Sequence, residues 1–187
     1  MRRIAAVITI AMLLSGCGFG VQPPLYAFPP NDDYPISLTA WPPVRLTVSD
    51  GRPLPSQFQP ARVADALIGV DSPQEHSTKV VGAVQRAFLS ALGPAAVSKS
   101  PLRLEVNVID YHAQFSRTLF TARHTGTATI RADLYRDGVH VRSWTGDGTA
   151  TRSNWLGADN GIAAAKEAFR DALRNLLRQL AAESPSQ

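Results

Sequence analysis

Of the residue types that do chemistry, this 187-residue chain holds one cysteine, Cys17, and four histidines, His76, His112, His124 and His140. Imidazole changes charge near neutral pH and is a common metal ligand. A hairpin centred near Thr118 sets His112 opposite His124, and two facing imidazoles bind a metal or sense pH. No carboxylate or cysteine completes a ligand set around them, so the alternative is a pair of sheet-surface histidines. Serines are plentiful, but none has a base and an orienting group at a defined spacing. G-x-S-x-G, H-E-x-x-H, G-x-x-x-x-G-K-[ST] and G-x-G-x-x-G are all absent from the sequence. Gly146-Asp147-Gly148 lies in a strand pattern and marks a bulge or a close backbone approach rather than a phosphate cradle. The expectation is therefore no catalytic residue, no metal and no cofactor.

Cys17 is different, because its surroundings are specific. Arg2 and Arg3 precede an uncharged, mostly apolar run from Ile4 to Leu14, then small residues. That is the layout of a secretory signal. Eleven residues are too few to span a hydrocarbon core, which takes about 20. Leu14-Ser15-Gly16-Cys17 resembles the lipobox of bacterial lipoproteins. The resemblance implies cleavage between Gly16 and Cys17 and acylation of the Cys17 thiol with chains such as palmitate. Two acyl chains anchor stably, at about 0.8 kcal/mol per buried methylene. Gly18 is not the aspartate that favours inner-membrane retention in the sorting rule this resembles. The expected place is thus the periplasmic face of the outer membrane, with the inner membrane as the alternative. A lone cysteine at the lipobox position also leaves no internal disulfide.

Net charge is +4 with 18% charged residues, and loss of residues 1–16 leaves about +2. This balance argues against a nucleic-acid partner and against a disordered polyelectrolyte. The chain divides into a signal over 1–16, a lipidated Pro-rich tether over 17–43, one domain over 44–182 and a disordered tail over 183–187. Seven of the fourteen prolines fall within 18–43, which favours an extended, semi-rigid tether. Its aromatics (Tyr26, Phe28, Tyr34, Trp41) offer the alternative of packing on the domain.

Within the domain, Val44–Ser49 alternates as a half-buried strand, and Asp50-Gly51-Arg52-Pro53 ends it. A further short strand is placed at Ala66–Val70. Ser72-Pro73-Gln74-Glu75 opens a helix with a capping box. Val81, Val84, Phe88 and Leu92 form its apolar stripe, and Gly93-Pro94 stops it. Leu102–Tyr111 alternates again, with Leu102, Leu104, Val106 and Val108 on one face and Ile109 and Tyr111 on the other. A strand over about Arg123–Arg136 meets Asp137-Gly138, a two-residue type I′ hairpin signal. That turn opposes Arg136 to Val139. It then sets Leu134 against Val141 and Ile130 against Thr145 on the core side. On the other face it sets Asp133 against Arg142 and Arg131 against Trp144. From Ala158–Asn160 a last helix carries Ile162, Phe169, Leu173, Leu176, Leu177 and Leu180 on one stripe. Lys166, Arg170, Arg174 and Arg178 line another, favoured as a solvated face over a docking patch. The result is an α+β fold: a small antiparallel sheet of three to four strands with two helices on one face.

Together, the lipobox, a strand ending V-x-L-x-V-x-D-x-R, the helix, L-x-L-x-V-x-V-x-x-Y, the long hairpin and the last helix resemble the YajG-type family of uncharacterised bacterial lipoproteins. The resemblance covers Arg45–Arg52, Leu102–Tyr111, Thr125–Arg152 and Ile162–Leu180, and transfers no catalytic residue. A weaker similarity is to auxiliary lipoproteins of ABC-type lipid transporters, and to envelope lipoproteins that activate or assemble other machinery. It implies a non-enzymatic module that binds an envelope protein through a sheet edge or the Arg131, Trp144 and Arg142 face. One alternative is a lipid-transport subunit with an apolar groove between helices and sheet. The other is an enzyme or metal-binding protein built on His112 and His124.

Overall fold

In the computed structural model, residues 25–53, 72–117, 122–153 and 159–183 are described. The signal region, Cys17 and the strand expected at Ala66–Val70 lie outside them. Four strands, β1 (Arg45–Asp50), β2 (Leu102–Arg117), β3 (Ala122–Arg136) and β4 (Val139–Ser153), form one open sheet in that order. Helices α1 (Pro73–Leu92) and α2 (Asp159–Ala182) cover one of its faces. The expected α+β architecture stands. Its sheet is mixed, because β1 runs parallel to β2 while the other pairs are antiparallel. Parallel neighbours need a long crossover, and the segment carrying α1 supplies one.

Helix α1 starts as its residues dictate: the Ser72 hydroxyl accepts from the Glu75 amide at 3.1 Å, and Pro73 holds the first position. Val80, Val84, Phe88 and Leu92 are buried along it. Val80 takes the place expected for Val81. The α2 stripe is buried from Phe169 to Leu180 as its spacing predicts. Beside it, Ala164, Ala165, Ala168 and Ala172 are fully buried. They face glycines of β3 and β4. A Cβ at Gly126, Gly146 or Gly148 would lie 2.2, 2.2 and 2.0 Å from the carbonyl oxygens of Ala164, Ala172 and Ala168. Here the helix backbone rests on the sheet backbone, and only glycine permits it.

Two bulges correct the expected registers. The hairpin turn itself is type I′, with φ of 51° at Asp137 and 84° at Gly138. Arg136 opposes Val139 and Tyr135 opposes His140, but Leu134 then opposes Arg142. Val141 is the extra residue, and beyond it every side chain of β4 changes face. Trp144, Gly146, Gly148 and Ala150 therefore point to the helices. Asp133 opposes Ser143 rather than Arg142, and Arg131 opposes Thr145 rather than Trp144. The expected register would have buried Asp147 and two threonines against α2, at a desolvation cost the bulge removes. In β2 the register shifts between Val108 and Asp110, so Ile109 is exposed and Tyr111 turns into the core.

The stretch before β1 is also corrected within the described range. Residues 25–43 form a strap laid on the domain. Leu25 and Ala113 exchange backbone bonds of 2.7 and 2.8 Å, and Leu38 donates to the Ala91 carbonyl at 2.7 Å. Ala27, Tyr34, Leu38 and Trp41 are buried, and the Trp41 indole donates to the Leu180 carbonyl at 3.0 Å. Prolines suit such a strap, because an extended segment outside the sheet needs few backbone donors. At the other end Glu183 is ordered, accepting from the Trp144 indole at 2.8 Å.

Candidate functional site

The most polar part of the interior lies where β1 ends, α1 begins and the strap crosses them. Asp50 and Arg52 stand two residues apart at the end of β1, close enough for one guanidinium to grip one carboxylate. Arg52 Nε and Nη2 donate to the two Asp50 oxygens at 2.8 and 2.6 Å, with both side chains only 3% exposed. Arg52 Nη1 donates to the Tyr111 carbonyl at 3.0 Å. Its Nη2 also lies 3.2 Å from His76 Nδ1. His76 Nε2 lies 2.7 Å from the Ala27 carbonyl of the strap. A carbonyl only accepts, so Nε2 carries the proton; a guanidinium only donates, so Nδ1 accepts. His76 is therefore the neutral Nε2–H tautomer. Its pKa falls to about 4, first because burial disfavours the cation, with Arg52 adding to that against the Ala27 carbonyl. Burial alone would raise Asp50, but the bonds from Arg52 and Ser77 outweigh it and hold the carboxyl below its usual range.

Aromatic rings close this cluster. His76 stacks between Phe28 and Tyr111, with centroids at 6.2 and 5.9 Å, and Tyr26 meets its edge at 5.8 Å. The Tyr111 hydroxyl donates to the Phe28 carbonyl at 3.2 Å. Lys79 lies 3.7 Å over the Phe28 ring. Among the described residues His76 and Tyr111 are wholly buried. The cluster locks the strap, fixing Ala27 and Phe28 by neutral hydrogen bonds and Phe28 also by aromatic and cation–π contacts.

The bulge in β4 creates a second polar group, on the sheet face away from the helices. Ser143 Oγ donates to Asp133 at 2.5 Å, and His140 Nε2 lies 2.8 Å from Ser143 Oγ. Arg131 donates to Asp133 from Nε at 2.9 Å and to Ser143 from Nη2 at 3.1 Å. These are the residue types of a serine triad, but in another order. The hydroxyl gives its one proton to the carboxylate, so His140 donates to Oγ instead of taking a proton from it. A nucleophilic serine needs the reverse, with the carboxylate on the far ring nitrogen. Burial would raise the Asp133 pKa; the bonds from Ser143 and Arg131 reverse that and lower it. The group is a surface network that holds the bulge.

His112 and His124 do not face each other. His112 opposes Thr127 and His124 opposes Phe115, because the hairpin is centred beyond Thr118, between the paired Arg117 and Ala122. His112 Nδ1 lies 2.6 Å from Asp110 Oδ1, and the His124 ring rests 4.8 Å from Phe115. No group of three or more metal-ligating side chains forms among the described residues. The expected Arg131, Trp144 and Arg142 face is divided as well. Trp144 is 5% exposed and packs on Trp41 at 5.9 Å. Arg142 reaches over the Trp144 ring at 5.5 Å and pairs with Glu183 at 2.5 Å. Arg131 stands on the opposite face.

His76, Asp50 and Arg52 escaped the sequence reading, although one signal was there. His76 lies four residues before Val80, on the stripe that continues through Val84. The exposed apolar residues were equally hidden. Val139 and Val141 at the β3–β4 turn are 69% and 53% exposed, the second only because of the bulge.

No protein-family model matches the chain, and no curated protein does. Among solved structures it is similar to the protein XCC0632 from Xanthomonas campestris, described as DUF330. Identity there is 21% and TM-score 0.48, covering 85% of this chain and 93% of that one. It is similar to a minor lipoprotein from Acinetobacter baumannii at 15% identity and TM-score 0.35, covering 75% and 89%. It is also similar to lipoprotein GNA1162 from Neisseria meningitidis at 14% identity and TM-score 0.26, covering 64% and 90%. At these scores the likenesses place no residue and assign no role.

Proposed function

We propose that the chain is a bacterial envelope lipoprotein, anchored through Cys17 to the periplasmic face of the outer membrane, whose domain is a non-enzymatic binding or assembly module. The lipobox carries the anchor. No helix among the described residues is long and apolar enough to cross a membrane. The open sheet carries the binding role. Its second face is solvent-facing, and β4 is a 15-residue edge strand. Asn175 and Gln179 of α2 donate to the carbonyls of Asp147 and Thr145, each at 2.9 Å. Those carbonyls therefore point outward, and by antiparallel alternation so do the backbone groups of Thr149 and Thr151. An extended partner segment could add there as a fifth strand.

An auxiliary role in lipid transport shares the anchor and the fold. The apolar groove it expects between α2 and the sheet is closed by the backbone contacts at Gly126, Gly146 and Gly148. In that role the domain would meet the transporter as a protein contact.

The test is photo-crosslinking in cells from Thr149, Thr151 and Val139, with mass spectrometry of the adducts. A recurring envelope protein is the expected result. Phospholipid adducts alone would favour lipid transport, and no specific adduct at any position would overturn the binding role.

A further inference from the structure

The strap leaves a cleft beside α1. Asp32 ties it to α2 through Arg170. On the α1 side it meets Ala83 and Ala87, whose side chains are too short to fill the space. A cavity of about 60 Å³ remains there, with Leu173 of α2 as its third wall. An apolar cavity that takes benzene measures about 150 Å³, so this one admits about two or three non-hydrogen atoms. Tyr34 also lines it and is 8% exposed. Its hydroxyl is buried and meets no hydrogen-bond partner among the described residues, which is costly to leave so. Burial, and next the Asp32 carboxylate of the cleft wall, push its pKa up to about 12. It therefore keeps its proton and still has lone pairs to offer.

The other polar groups of the strap wall are Asn31, Asp32 and Asp33, and α1 adds Arg86. Arg170 already neutralises Asp32. Asp33 and Arg86 are exposed and join no ion pair among the described residues. One cleft thus carries a carboxylate and a guanidinium that do not neutralise each other, and a buried hydroxyl with nothing to bond. We propose that it binds a small zwitterion by its primary-amine end. A methylene and its ammonium match the space. The N–H groups go to Asp33, to the Asn31 carbonyl oxygen and to the Tyr34 hydroxyl, all of them acceptors. The anionic end stays at the mouth, on Arg86. Free amino acids and the headgroups of aminophospholipids share this chemistry. A trimethylammonium group does not, because it has no N–H to give and is too bulky to enter.

The experiment titrates the full chain, purified in detergent, with phosphoethanolamine, serine and phosphocholine by calorimetry. Binding of a primary amine is expected, with phosphocholine at least about tenfold weaker. The tighter of phosphoethanolamine and serine names the source, headgroup or free amino acid. Tyr34→Phe removes a hydroxyl without a partner, so its urea midpoint should not fall, yet binding should weaken by at least about tenfold. Asp33→Asn, at an exposed position, should weaken it likewise. Arg86→Gln should weaken phosphoethanolamine and leave ethanolamine as it was. Failure of both primary amines to bind overturns the proposal, and so does equal binding of phosphocholine. Binding that survives both Tyr34→Phe and Asp33→Asn puts the amine elsewhere and overturns the site.

Discussion

Gly148 lies directly beneath the Ala168 carbonyl, so close that an added Cβ would sit 2.0 Å from the oxygen. Gly148→Ala must push α2 off the sheet or bend β4. Overpacking of this kind typically costs 1–3 kcal/mol and occasionally more; with backbone on both sides, we expect at least about 3 kcal/mol. Gly82 is the contrast. It lies inside α1, and its added Cβ would meet only the flexible Arg86 side chain, at 3.5 Å. Gly82→Ala should stabilise by about 0.5–1 kcal/mol. Urea unfolding of both variants checks the opposite signs.

The buried ion pair should respond asymmetrically. Asp50→Ala leaves the Arg52 cation buried without its carboxylate, a loss of about 3–5 kcal/mol. Replacing both, as Asp50→Leu with Arg52→Met, removes the uncompensated charge and should cost much less. A double variant as damaged as the single one would show that the pair is not the unit of stability.

Acid should weaken the fold across a defined window. His76 falls from 6.5 to about 4 on folding. Between those values the unfolded chain binds a proton that the fold refuses, so stability rises with pH there and is lost on acidification. The span corresponds to about 3 kcal/mol. Asp50, held below its usual range, adds a loss of the same sign at lower pH. His76→Gln keeps a donor for Ala27 and cannot titrate. Its urea midpoint should change less between pH 7 and 4.5 than that of the unaltered protein.

The strap can be loosened at Trp41. Trp41→Phe removes the indole N–H that reaches Leu180, worth about 1 kcal/mol, and the smaller ring leaves a gap at this buried site that adds to the loss. Amide exchange should speed up mainly over residues 25–43. Uniform acceleration across β2 and β3 would instead mean that the strap and the sheet open together.

The element order, the α1 cap, the α2 stripe and the Asp-Gly turn were legible because each is decided by residues a few positions apart. Pairing was legible only at the turn. One inserted residue reverses every side chain beyond it, and the pattern that decides between registers is spread over two elements. Trp144, Gly146, Gly148 and Ala150 make a better floor for α2 than Ser143, Thr145, Asp147 and Thr149. That preference appears only when the helix alanines are set against the strand glycines. The strap and the His76 cluster were hidden for a related reason. Their partners lie far away in sequence, and proline content describes a segment's stiffness without saying what it touches.

The bond from Trp41 to Leu180 spans 139 residues of a 187-residue chain, and it governs the order of assembly. In a chain synthesised N-terminus first, Trp41 emerges long before the last turn of α2 exists to receive it. Contacts of such long separation form late, since the loop they close must be ordered first. The strap therefore stays undocked while the rest of the domain is still being delivered. Closing the strap is the final step, and until Leu180 is in place the strap segment that carries Trp41 has no seat to close on.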